Sequence, residues 1–186
     1  MNNTMPAKGG STSGGQKITP FLWFDNQAEE AMNYYVSVFN GSPAKNPPAG
    51  GESKVVKIQR YPEGPLEGPM KGFEGKVLTG VFELAGQTFM ALDGGPMFKF
   101  SESVSLLVDC ADQQEIDYFW DTFIKDGGQE SQCGWLKDKY GFSWQIVPSM
   151  EKYLTGDPEK NKRAMHELLK MKKIIIADLE KAYNGE

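Results

Sequence analysis

Gln132 to Pro148 reads QCGWLKDKYGFSWQIVP: two short strands, Gly134 to Lys137 and Phe142 to Val147, around a turn at Asp138-Lys139-Tyr140-Gly141. Gly141 supplies the positive φ that a tight turn demands, and the Asp138 side chain is suited to cap it. The second strand alternates strictly. Phe142, Trp144 and Ile146 point one way, and Ser143, Gln145 and Val147 the other. The fully apolar face belongs to a core, so the mixed face is where a ligand would be sought.

Upstream, Ser103 to Asp109 alternates as a strand, and Gln113 to Asp126 is a helix with Ile116, Phe119, Trp120, Phe123 and Ile124 on one stripe. Gly127-Gly128 stops this helix, and a short strand near Gln129 to Gln132 leads into the hairpin. The same order occurs earlier in the chain. Lys17 to Asp25 is a strand in which Pro20 argues for an edge position. A helix with Ala28, Ala31, Met32, Tyr35, Val38 and Phe39 on one stripe follows and stops at Gly41. A strand from Lys54 to Tyr61 and a hairpin, Val77 to Leu84 and Gln87 to Leu92, complete the unit. Two βαβββ units are therefore read, over residues 17–95 and 101–148. Thr19 aligns over Ser103, Gly86 over Gly141 and Met90 over Gln145.

The remaining segments are simpler. Met1 to Gln16 is polar and small-residue-rich, and is expected to be a disordered tail. Ser42 to Ser53 is a loop. Pro62 to Gly75, PEGPLEGPMKGFEG, is a long loop without regular structure, either a lid or a surface excursion. Asp157-Pro158 starts a C-terminal helix, and one helix with room for a kink is expected over residues 157–183. The 186 residues, 39% hydrophobic and 12% aromatic, suit a globular domain with a sizeable core. A net charge of −5 gives no support for nucleic-acid binding. No apolar run reaches the roughly 20 residues of a membrane span, and no signal peptide is recognisable, so a cytoplasmic location is expected. Cys110 and Cys133 then read as free thiols.

FLWFDNQAEEAMNYY, FELAGQTFMALDGGPMFKF, VSLLVDCADQQEIDYFW and QCGWLKDKYGFSWQIVP resemble the PhnB-like branch of the vicinal oxygen chelate superfamily (glyoxalase, bleomycin resistance protein and dioxygenase). Members of this branch often carry the label demethylubiquinone methyltransferase-like. The resemblance covers nearly everything from Lys17 to Tyr183. It implies an α+β fold in which two βαβββ modules form an open eight-stranded cup, with helices outside and a C-terminal helix added. It also implies a homodimer. The turns into the helices, Asp25-Asn26-Gln27 and Cys110-Ala111-Asp112, lack the glycines of a Rossmann-type S-adenosylmethionine site, so methyl transfer is not expected.

Enzymes of the superfamily hold a divalent metal on the concave face of the cup. The resemblance carries those ligand positions onto Thr19, Met90, Ser103 and Gln145. Two hydroxyls, a thioether and an amide are weak ligands beside the imidazoles and carboxylates such metals take. Neither metal nor cofactor is therefore expected. By strand alternation Phe21, Trp23, Thr88, Leu92, Ser105, Leu107 and Ser143 share that face, with Phe21 and Trp23 equally readable as core. Thr19, Phe21, Trp23, Met90, Ser103, Ser105 and Gln145 form the expected binding site for a small molecule. The rival reading is a lyase- or dioxygenase-type enzyme, with or without a metal. A Cys133 nucleophile would need a histidine or a cation beside it, and His166, the one histidine, lies outside the repeat.

Overall fold

The computed structural model describes residues 16–43 and 51–186. The expected tail lies outside these apart from Gln16, as does much of the loop after Ser42. The first module comprises β1 (Phe21–Phe24), α1 (Ala28–Asn40), β2 (Lys54–Arg60), β3 (Val77–Leu84) and β4 (Gln87–Asp93). The second comprises β5 (Ser105–Cys110), α2 (Gln113–Lys125), β6 (Gln129–Glu130), β7 (Trp135–Lys137) and β8 (Ser143–Pro148). The eight strands form two four-stranded sheets, ordered β1-β4-β3-β2 and β5-β8-β7-β6. Each sheet thus has its module's first strand at one edge, in parallel with the last. The chain is an α+β protein built from a repeated module.

Local chemistry fixes each module. The β3–β4 hairpin turns on Ala85 and Gly86, at φ +47° and +82°, the left-handed pair that a two-residue hairpin needs. Asp93, buried at the end of β4, accepts a hydrogen bond from the Ala28 N–H at 2.8 Å. It thereby satisfies one orphan donor of α1 and sets a carboxylate against the positive end of the helix. Asp112 does the same for α2 through the Glu115 N–H at 3.0 Å, and Glu115 reaches back to the Ala111 N–H.

Both sheets turn their helix-covered faces to one core. Tyr35 of α1 meets Trp144 of β8 with ring centroids 5.4 Å apart, and Phe39 of α1 meets Phe119 of α2 at 5.1 Å. Phe142, Trp144 and Ile146 are all buried there, as their alternation requires. Leu22, Phe24, Phe82 and Phe89 join the same cluster from the first sheet. The helices therefore lie between the two sheets, and the opposite sheet faces turn away from this shared layer.

The C-terminal part differs from a single helix. It forms α3 (Glu151–Thr155), α4 (Pro158–Leu168) and α5 (Ile176–Asn184). Asp157 caps α4 as expected, accepting from the Glu159 and Lys160 N–H groups. The break over residues 169–175 has a physical cause. The Met171 and Lys172 carbonyls accept from the Cys133 and Gly134 N–H groups, each at 2.8 Å, so the segment runs along the second sheet instead of bonding within a helix. Ile174, fully buried, anchors it. The three helices enclose a second small core with Val147, Tyr153, Leu168 and Leu179. The Pro62 to Gly75 loop also departs from expectation. It holds one 3-10 turn, Gly68–Met70, and Phe73 lies against Tyr61 at 5.4 Å. Among the described residues, no helix is long and apolar enough to cross a membrane.

Candidate functional site

The face of the first sheet away from α1 is mostly apolar. Phe21 stands opposite Met90, and Met90 opposite Val81; the next row pairs Trp23 with Leu92. Phe21 is 52% exposed. Trp23 is half-buried, donates its indole N–H to the Gly95 carbonyl at 2.9 Å and meets Phe98 edge-on at 4.9 Å. A Cβ on Gly94 would fall 2.1 Å from the Trp23 ring, so the glycine is what lets the indole lie flat here. Thr19 precedes β1 and is half-buried.

The corresponding face of the second sheet is mixed. Ser105 stands opposite Ser143, and Ser143 opposite Lys137; Leu107 faces Gln145, and Gln145 faces Trp135. The Gln145 amide N–H donates to the Ser105 hydroxyl at 2.8 Å. Lys137 is ion-paired with Glu102. Ser143 is only 1% exposed, and its hydroxyl has no hydrogen-bond partner among the described residues. The Thr79 hydroxyl of β3 is in the same condition on the first sheet. Ser103 lies before β5, exposed, its hydroxyl 2.7 Å from that of Ser101.

The seven expected residues thus divide by sheet. Thr19, Phe21, Trp23 and Met90 belong to the first, and Ser105 and Gln145 to the second, with Ser103 just ahead of it. The ladders also correct the internal alignment. Phe21 pairs with Met90, whereas Leu107, rather than Ser105, pairs with Gln145. Phe21 is therefore level with Leu107, and Thr19 with Ser105, two residues on from Ser103. An even shift keeps every side chain on its face, so the face assignments stand while Ser103 drops out of the symmetric set.

A divalent metal does not fit these donors. The Gln145 amide and the Ser105 hydroxyl bond each other, Met90 offers only a thioether, and Thr19 lies on the other sheet. Among the described residues, no group of three or more His, Cys, Asp and Glu side chains could hold an ion. His166 is exposed on α4. Neither thiol is an activated nucleophile by its surroundings: burial pushes Cys110 far up, and Cys133 is held against the C-terminal helices.

Two features were not visible in the sequence. Asp138 caps its turn as expected, through the Tyr140 and Phe142 N–H groups, but it is also only 2% exposed. Its carboxylate accepts from Tyr35 Oη, Trp144 Nε1 and the Tyr140 and Phe142 N–H groups at 2.7–3.0 Å. It ties α1 of one module to the hairpin of the other. Burial raises its pKa, and the four donors oppose that shift. The second feature is a cleft of about 980 Å³ on the helix side, between the modules. Pro20 and Phe89 line one wall, and Leu106, Val108 and Phe119 the other; none of the seven expected residues takes part.

Comparison with known proteins agrees with this architecture. Residues 16–147 match the family model for 3-demethylubiquinone-9 3-methyltransferase. A Bacillus cereus PhnB protein, described as a candidate 3-demethylubiquinone-9 3-methyltransferase, is 38% identical; the match covers 72% of this chain and all of that one, with a TM-score of 0.58. A Pseudomonas aeruginosa protein shares the fold at 16% identity and a TM-score of 0.52, over 69% of this chain and 94% of its own. No match was found among curated proteins. The chain belongs to the 3-demethylubiquinone-9 3-methyltransferase family, the PhnB-like branch of the vicinal oxygen chelate superfamily.

Proposed function

We propose that this protein binds a small molecule of mixed polarity on the sheet faces turned away from the helices, without a metal. One observation carries the reading. Ser143 keeps a buried hydroxyl with no partner among the described residues, in the row that also holds Ser105 and Lys137, and beside Gln145. A buried orphan hydroxyl costs about 1–3 kcal/mol, and a ligand that displaces the side chains covering Ser143 and bonds the hydroxyl recovers that cost. Gln145 spends its N–H on Ser105, which leaves its carbonyl oxygen as an acceptor. Trp23, Phe21 and Met90 supply flat and apolar contact area.

The methyl transfer in the family's name finds less support in this chain. Its helices begin at Asp93- and Asp112-capped turns without the glycine-rich approach that a dinucleotide-like cofactor needs. Acid–base lysis lacks an obvious proton carrier, because Lys137 is held by Glu102 and Glu83 by Lys54. Sequestration of a ligand fits these residues better than turnover.

The test is a thermal-shift screen of small aromatic and mixed-polarity compounds, followed by titration of any hit against wild type, Gln145→Leu and Trp23→Phe. Weakened binding in Gln145→Leu, with a lost fluorescence response in Trp23→Phe, is expected. A ligand that binds both variants as it binds wild type would refute the site.

A further inference from the structure

Lys137, Ser143 and Ser105 stand level on three neighbouring strands, β7, β8 and β5, on the mixed face of the second sheet. With strands about 4.8 Å apart, this row spans about 10 Å. Each member has a proton to give. The Ser143 hydroxyl has no partner among the described residues and is closed off from solvent. Ser105 accepts from Gln145 and so keeps its own O–H as a donor. The Lys137 ammonium bonds Glu102 and retains further N–H donors. That ion pair also shows what covers the row. Glu102 lies just ahead of β5, while Lys137 belongs to β7. β8 runs between those two strands, so the pair passes over β8 at its Ser143 end. Two partly open side chains, Glu102 at 64% and Lys137 at 33% exposed, thus form a strap above a closed hydroxyl.

We propose that this row is the head-group subsite of the binding face, and that it takes a carboxylate, which displaces Glu102 from Lys137 and uncovers Ser143. This rests on the binding reading above and names its ligand class. A row of three donors fits a group that only accepts, and an ammonium among them favours an anion. The structure already seats a carboxylate at Lys137, that of Glu102. A ligand carboxylate replaces like with like: one ion pair is exchanged for another, and the buried hydroxyl gains a bond it now lacks. The next row describes the rest of the ligand. Leu107, Gln145 and Trp135 stand level there, two residues along each strand. They present an aliphatic chain, an amide oxygen and an indole, which suit a flat apolar body with one polar substituent. Asp109 shares this face of β5 but lies four residues beyond Ser105, about 13 Å along the strand. Its charge turns the anionic head away, towards the Ser143 end.

Benzoate and benzamide, alike in shape and different in charge, are the probes, titrated by NMR or calorimetry. Benzoate should bind the wild type, and benzamide more weakly. Glu102→Gln removes the competing carboxylate at an exposed position, so the fold should hold by circular dichroism. It should tighten benzoate by about two- to fivefold, the worth of an exposed ion pair, and leave benzamide unchanged. Lys137→Met should weaken benzoate by about tenfold or more, with the fold again retained. Benzoate that does not bind at millimolar concentration, benzamide that binds as tightly, a Glu102→Gln protein that binds benzoate no better, or a Lys137→Met protein that binds it as wild type does would each overturn the inference. Benzoate and benzamide bound alike, and both weakened by Gln145→Leu, would leave the binding reading standing without the carboxylate subsite. Benzoate binding governed by Lys137 and Glu102 but indifferent to Gln145→Leu would keep the subsite and remove Gln145 from the binding reading.

Discussion

Tyr35→Phe is the sharpest probe of how the two modules are joined. Tyr35 is fully buried, and its hydroxyl donates to Asp138 Oδ2 at 2.7 Å across 103 residues of sequence. Removing the hydroxyl leaves no sizeable cavity, and Trp144 Nε1 still serves Oδ2 at 2.8 Å. The loss is therefore one hydrogen bond to a charged group, about 1.5–3 kcal/mol. For a chain of this length that is about a 3–12 °C fall in Tm. Denaturant unfolding should show a lower midpoint with an unchanged slope. The effect also has a pH signature. Tyr35 stabilises the ionised carboxyl more than the neutral one, so its removal raises the folded pKa of Asp138 beyond the value burial already lifts above the ordinary range. The stability difference between wild type and Tyr35→Phe is then present above that folded value and shrinks as the pH falls through it. Asp138→Asn should cost more than Tyr35→Phe, because an amide that keeps its oxygen on the two backbone N–H groups turns its NH₂ against the Trp144 N–H. A Tyr35→Phe protein as stable as wild type at neutral pH, or a difference that grows on acidification, would refute this account.

Ser143→Ala should leave the free protein as stable as wild type, or stabilise it by up to about 1 kcal/mol in denaturant unfolding, since it removes a buried hydroxyl with no partner among the described residues; the same change should weaken ligand binding, which isothermal titration reads. Gln145→Leu should cost about 1–3 kcal/mol of affinity for any ligand that bonds the amide, with the fold retained. Elemental analysis of the purified protein should find no stoichiometric Zn²⁺, Ni²⁺, Fe²⁺ or Mn²⁺, and adding these ions should not raise Tm; a tightly held ion on either sheet face would reverse the metal assignment. Gly94→Ala should displace the Trp23 ring that a Cβ would meet at 2.1 Å, shifting tryptophan emission and weakening binding.

Much of this fold was legible because its signals are local. Alternation in Phe142–Val147 assigned both faces of β8, and Trp144 and Ile146 are buried as that pattern requires. Asp157-Pro158 marked the start of α4 by its own chemistry. What escaped depends on contacts distant in sequence. The capping of the turn by Asp138 could be read locally, but nothing near it announces Tyr35 as a second partner or its burial. The 169–175 break follows from carbonyls taken by Cys133 and Gly134, some 40 residues earlier, which helical periodicity cannot report. The two-residue shift between Ser103 and Ser105 went unseen because an even slip preserves alternation; only the ladders distinguish the two.

The same ladders compare the two halves of the repeat position by position. Here the level positions have diverged by chemistry while keeping their places. Met90 corresponds to Gln145 and Trp23 to Asp109, whereas Leu92 and Val147 are both apolar, so two levels that are apolar or aromatic in the first half carry an amide and a carboxylate in the second. Such a set offers weak metal donors, and it suits recognition of a molecule with one apolar and one polar end. Val147 shows the constraint from the other side. It shares a strand face with Gln145 but is covered by the C-terminal helices, which lie beyond the part of the chain matched by the family model. Those helices cover one end of this face, while Leu107, at its free edge, stays exposed.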